Sequence, residues 1–146
     1  IIKESMSFPA FKFKELVEEN WEDSTFGNYL RETKFLFVVY KFDKNEVLHL
    51  QGCQFWNIPY EDLENDVRSV WEKTKQVIED GLVIERKNGK YASNLPKIKD
   101  NRICHVRPHA KDSTDTDTLP DGRQYPKQCF WLNRTYIYDQ IDKNLK

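Results

Sequence analysis

The chain has 146 residues, 38% of them hydrophobic and 14% aromatic, with a formal net charge of −1 at pH 7. That length and apolar content suit one domain with a real core and exclude a disordered tail. The near-neutral charge excludes a global basic field, so any nucleic-acid contact must come from a local patch.

The charge is unevenly spread. Residues 3–23 hold three lysines against six acids, a balance of −3, and residues 97–111 hold five cations against Asp100, a balance of +4. Cys53, Cys104 and Cys129 form an odd set with no Cys-x-x-Cys spacing. This argues against a disulfide framework and for a reducing compartment such as the cytoplasm. His49, His105 and His109 lack zinc-ligand spacing to the cysteines. No signal peptide or membrane-length apolar run is visible, and no membrane partner is expected. The opening "IIKES", without an initiator Met, suggests a piece of something longer.

Taken in order, Phe13, Leu16, Val17 and Trp21 fall at helical spacing, and Phe26, Tyr29 and Leu30 continue the rhythm after "EDST". This predicts a helix, a break, and a short second turn weakened by Gly27. "KFLFVVYKF" is rich in aromatic and β-branched residues and predicts a central strand. "VLHLQGCQFWNI" returns as a second strand, with Gly52 a candidate bulge. Pro59 opens a helix whose apolar stripe is Leu63, Val67, Val70, Trp71, Val77 and Ile78, and Gly81 stops it. "LVIERKNGKYAS" is a hairpin with a primed turn at Asn88-Gly89. "NRICHVRP" is a further strand, and residues 111–127 form a long polar loop of the kind that is usually functional or mobile. "QCFWLNRTYIY" is the last strand or strand-turn, before a short terminal helix over "YDQIDKNL". The class is α/β or α+β with a mixed sheet.

A metal-dependent nuclease needs carboxylates for Mg²⁺ and a nearby Lys, and Glu-x-Lys on a strand puts two such groups on one face. "FKFKE" carries two cations and no intervening acid, so helical spacing explains it better. Glu32-Thr33-Lys34, with Asp23, and Glu85-Arg86-Lys87, with Asp80, fit the triplet pattern. In a chain that is 32% charged, exposed ion-rich turns are the plainer reading of both. No nucleophile elbow or phosphate loop is present, and adjacent Cys104 and His105 on a strand point to opposite faces.

"HVRPHAKDS" and "FWLNR" are more informative. Arg107, His109 and Lys111 surround the strand-ending Pro108, and Trp131, Asn133 and Arg134 add an aromatic face and polar forks. Arg suits guanine, Asn suits adenine and Lys suits phosphate. A sheet edge with scattered cations and a core Trp explains the same residues equally well.

At these stretches the chain resembles the MutH-like endonucleases, which include GATC-cutting type II restriction enzymes of the Sau kind. "WEDSTFGNYLRETKFLFVVYK" is similar to the family's lead into a central strand, "VRSVWEKTKQVIEDG" to its long helix, "HVRPHAKD" to its recognition loop and "FWLNR" to its "FYLKK"-type strand end. The resemblance covers most of the chain and is nearest to the C-terminal domain of the restriction branch. It implies a PD-(D/E)xK-type fold, with a mixed sheet flanked by helices and an incomplete N-terminus.

It also implies DNA-binding residues Arg107, Pro108, His109, Lys111, Trp131, Asn133 and Arg134, with His109, Asn133 and Arg134 standing where the family has lysines. The family's Asp…Glu-Leu-Lys motif is not found. Either it lay upstream of Ile1 or this is a degenerate copy of the fold. The expectation is a recognition or effector domain binding GATC duplex. It would hold no metal itself and would assist an Mg²⁺-dependent catalytic domain of the same chain. A self-sufficient nuclease and a protein-interaction module are the alternatives.

Overall fold

The computed structural model describes residues 2–146, which form an α+β fold of small sheets and short helices. Every strand pair is antiparallel, so the expected mixed sheet is replaced by a three-stranded sheet and three separate hairpins among the described residues.

The first surprise lies before the predicted helix. Strand β1 (Met6–Ser7) pairs with β9 (Gln128–Leu132), and Phe8 N and Phe11 N then donate to Phe130 O and Gln128 O at 3.1 Å each. Extended chain here leaves room for only one helical turn, α1 (Phe13–Leu16), whose Phe13 N–H is satisfied by Asp117 Oδ2 at 2.9 Å. Trp21 falls in a separate 3₁₀ turn, Trp21–Asp23.

Of the two, the longer helix is the second, α2 (Thr25–Glu32), which unlike α1 begins with a side-chain cap. Ser24 Oγ accepts from Gly27 N at 3.1 Å and donates to Trp21 O at 2.8 Å. Gly27 does not weaken this helix but permits it. A Cβ there would lie 2.6 Å from Ser24 Oγ and 2.9 Å from an Arg31 guanidinium nitrogen.

Strands β2 (Phe35–Phe42) and β3 (Leu48–Trp56) form the next hairpin. The register shifts between Val39 and Tyr40, opposite Gly52 at φ +145°, so the expected bulge is present. Phe35, Phe37 and Trp56 turn inward, with Phe37 stacked on Trp56 at 5.3 Å. The strand is not central, however. Among the described residues β2 has β3 as its sole neighbour, and its alternate side chains face outward.

The long helix is assembled from α3 (Tyr60–Asp62), a π-helical turn (Leu63–Val67) and α4 (Arg68–Glu79). All six residues of its predicted stripe are buried, each side chain contributing about 1.5–3 kcal/mol of burial. Pro59 caps the start and Gly81, at φ +95°, follows the C-cap. The π turn had no signal in the sequence. It lets Tyr136 Oη donate to Asp62 at 2.7 Å and Trp21 Nε1 donate to Glu64 at 3.0 Å. Strands β4 (Ile84–Lys87) and β5 (Lys90–Ser93) follow, joined through Asn88 at φ +52° and Gly89 at φ +77°, the primed turn expected.

The three-stranded sheet has the order β1-β9-β6, with β6 running Cys104–Pro108. The predicted polar loop of residues 111–127 is largely a hairpin of β7 (Thr116–Thr118) and β8 (Gln124–Pro126). It is anchored by buried Leu119 and Tyr125 and by an Asp115–Lys127 ion pair at 3.0 Å. Helix α5 (Arg134–Gln140) starts earlier than expected, directly after β9. Among the described residues no helix is long and apolar enough to cross a membrane.

Gly27→Ala is expected to destabilise the fold by about 1–2 kcal/mol through the Ser24 clash, and Ser24→Ala by about 1 kcal/mol through loss of the cap. Urea midpoints of the two variants test this, and unchanged midpoints would show that the α2 start relaxes freely.

Candidate nucleic-acid interface

Alternation along β6 and β9 sorts their side chains into two sets. Cys104, Val106, Phe130 and Leu132 enter the core. His105, Arg107 and Trp131 share the opposite face, where His105 pairs with Trp131 and Arg107 with Cys129. The Arg107 guanidinium lies 4.0 Å over the Trp131 ring. The His105 ring is nearly parallel to the indole, at 6.2 Å and 16°. Trp131 Nε1 donates to Arg107 O at 3.4 Å, so two strands hold one indole in place. A cation over an exposed ring contributes about 0.5–1 kcal/mol.

This stack borders an open cavity of about 620 Å³, lined by Arg107, Pro108, Trp131 and Arg134 together with Lys3 and Glu4. Three cations thus meet one acid on a wall that carries an aromatic face. Arg134 is steered there by helix α5, its N–H donating to Ser5 Oγ at 3.1 Å and its guanidinium to Lys3 O at 3.3 Å. A neighbouring hollow is lined by Lys99, Arg102 and Arg134 together with Asp100, and Arg102 there pairs with Asp62 at 3.6 Å and Asp66 at 3.5 Å. Lys99 and Arg102 belong to the basic run already visible in the sequence. Lys3 gave no such signal, because only the pairing of β1 with β9 brings the N-terminus here.

The other singled-out residues part company. His109 is exposed beside Trp131, with ring centres 6.1 Å apart. Lys111 is exposed at the foot of the β7–β8 hairpin, its backbone N–H donating to Asp115 at 3.0 Å, outside the lining of the cavity. Asn133 is only 2% exposed, and both ends of its amide are engaged. Its Nδ2 donates to Asn101 O at 2.7 Å, and its Oδ1 lies 2.6 Å from His105 Nδ1. A base-reading role for Asn133 is incompatible with that burial.

The same contacts settle the tautomer of His105. Asn133 Oδ1 must accept, so neutral His105 carries its proton on Nδ1. Burial, chiefly, and nearby Arg107 push the His105 pKa below its ordinary value of about 6.5, against the opposing hydrogen bond to Asn133. The two buried thiols are unreactive by the same logic, since burial raises Cys104 strongly and Cys129 to about 11.

The acidic triplets do not form a metal centre. Glu32 ends helix α2 and Lys34 lies beyond its cap, so the alternation of a strand does not join them, and Lys34 instead covers the Phe55 ring at 4.7 Å. Glu85 and Lys87 do share a face of β4, but they pair with one another at 3.5 Å and stand in solvent. Asp80 accepts from Gln76 at 2.8 Å on its own helix. Among the described residues no three His, Cys, Asp or Glu side chains converge on one point. These residues do not fit a catalytic Mg²⁺.

Because folded His105 resists protonation, its contribution to stability is full above the ordinary pKa and is lost as pH falls below it. Urea midpoints are expected to drop between about pH 7.5 and about pH 5.5, with a shallower slope in His105→Gln. An identical slope in both proteins would remove His105 as the source.

No known protein-family profile matches the chain. It is 36% identical, over 172 aligned residues, to the type II restriction enzyme Sau3AI of Staphylococcus aureus, a match that takes in 96% of this chain and 35% of that enzyme. The chain therefore spans about a third of the curated relative's length, and over nearly all of its own length it is related to a type II restriction endonuclease.

Proposed function

We propose that this chain is the DNA-recognition part of a type II restriction enzyme, with a MutH-like fold, that binds GATC-containing duplex and assists an Mg²⁺-dependent catalytic domain on the same polypeptide. The observation that carries the reading is the Arg107–Trp131 stack beside Arg134 and Lys3, in a chain related to a restriction endonuclease. A guanidinium held over an indole keeps its planar fork pre-organised, so little side-chain entropy is lost when it meets a guanine edge. Lys3 and Arg134 flank it as phosphate contacts, and Lys99 extends the track.

Trp131 presents its free edge to the bases, and Asn133 acts from behind by fixing His105 and hence the indole. His109 and Lys111 follow the same strand end and serve the neighbouring phosphates. The local patch answers the objection from net charge, because affinity for a duplex depends on the cations at the contact and not on the whole chain.

Fluorescence anisotropy with a GATC duplex and a scrambled duplex, at two salt concentrations and without Mg²⁺, tests the reading. Tighter, salt-sensitive binding to GATC is expected. Arg107→Ala should lose about 1–3 kcal/mol, roughly 5- to 150-fold, together with the sequence preference. Lys111→Ala should weaken both duplexes alike. Equal affinity of the parent chain for both duplexes would overturn the reading.

A further inference from the structure

The outward face of the β2–β3 hairpin has no part in the basic surface. Cross-strand register places Leu36 opposite Phe55, Val38 opposite Cys53, Tyr40 opposite Leu50 and Phe42 opposite Leu48. All eight side chains lie on one face of the sheet, none carries a charge, and all are exposed. Leu36 is 53%, Phe42 59% and Phe55 65% exposed. Three of the eight are aromatic side chains, which present about 150–250 Å² each when fully exposed, so the face rivals the largest apolar patches found on monomers. The opposite face of the hairpin packs on the core through Phe35, Phe37 and Trp56, but this face is left in water, and the unpaired β2 edge would invite uncontrolled strand pairing.

We infer that this face is the docking surface for the remainder of the restriction-enzyme polypeptide; the inference rests on the reading that the chain is one part of such an enzyme. Two observations select that occupant. About two thirds of the Sau3AI relative lies outside the match, so an enzyme of that size has ample polypeptide to cover the face. Ile2, Leu145 and Lys146 also line one small cavity with Val39, Tyr40 and Lys41, and the C-terminal segment packs on the covered face of the hairpin, where Gln54 bonds Gln140 and Asp142 and Gly52 meets Leu145. Polypeptide continuing from either end starts at this same hairpin, has only its two strands to pass around to reach the exposed face, and meets it at high effective concentration, which a second copy of the chain does not have. The docking element is apolar, because the face offers no charge to pair. Lys34, laid over Phe55, marks its margin. A strand of the docking element can also add to the open edge of β2.

The chain contains its own reporter. Cys53 sits within the face, opposite Val38, and is exposed, whereas Cys104 and Cys129 are buried. Maleimide labelling rates of the Cys53 thiol are to be compared between this chain and the full-length enzyme polypeptide containing it, with duplex anisotropy measured on the same samples. Labelling at least roughly tenfold slower in the full-length polypeptide is expected, and Tyr40→Glu with Leu50→Glu should restore fast labelling there. Equal rates in the two proteins would overturn the docking surface. So would labelling of this chain that slows as its own concentration rises, because a second copy would then be the occupant. Failure of sequence-specific duplex binding with Cys53 protected would instead count against the DNA reading and leave the docking surface standing.

Discussion

The polar chain from His105 through Asn133 to Asn101 is the constraint on which the proposed interface depends. It joins the start of β6 and the residues just before it to the junction of β9 and α5 at three points, the third being Asn133 N–H to Ile103 O at 2.7 Å. Asn101 completes it by accepting from the N–H groups of Ile103 and Cys104. A buried amide with unmet partners costs a few kcal/mol, so the segment has little freedom to place β9 in another register. Trp131 and Arg134 lie on either side of Asn133, and the bonds that satisfy Asn133 therefore aim both. The proposed interface is exposed, yet its geometry is decided largely by buried groups behind it.

The molecule is divided by polarity. The outer face of the three-stranded sheet gathers cations around an indole. The β2–β3 hairpin offers an uncharged apolar face. The aromatic core between them ties the two together. Phe8 and Phe26 meet edge-to-face at 5.2 Å, and Phe26 stacks on Phe130 at 4.4 Å. Phe8 also meets Phe35, the first residue of β2, at 6.5 Å. Disturbance of the hairpin thus reaches β9 through close-packed rings, a physical route by which what covers the hairpin can bias the face of β9.

Elements whose pattern and punctuation agree were legible in the sequence. The helix stripe from Leu63 to Ile78 and the Asn88-Gly89 turn each combine periodicity with a residue that fixes the backbone. Where tertiary contacts outvote the pattern, the sequence misleads. The rhythm from Phe13 to Trp21 is helical, but β9 captures the preceding residues as extended chain and α1 stops after one turn. The composition of β2 is that of a central strand, and nothing local shows that its second face lacks a cover. The interface was half legible. Arg107, Pro108, Trp131 and Arg134 line one cavity, while Asn133 has the right chemistry and the wrong orientation, which only the strand register decides. Lys3 was hidden because its proximity is created by a pairing more than a hundred residues away in sequence.

The π-helical turn at Leu63–Val67 is, in effect, one residue more than a regular helix would hold over the same axial rise. Asp62 precedes its widened coil and Glu64 lies within it. The two carboxylates serve different neighbourhoods: Asp62 the Tyr136 hydroxyl and Arg102, Glu64 the Trp21 indole, Arg31 and Arg68. Excising a single residue there would restore ordinary α-helical winding and turn everything N-terminal to it by about 100° against α4. The apolar stripe of α4 would stay seated, while the acids ahead of it would swing away from both sets of partners. An alignment gap of one residue at this point would therefore mark a relative whose helix is anchored to the rest of the fold in a different way.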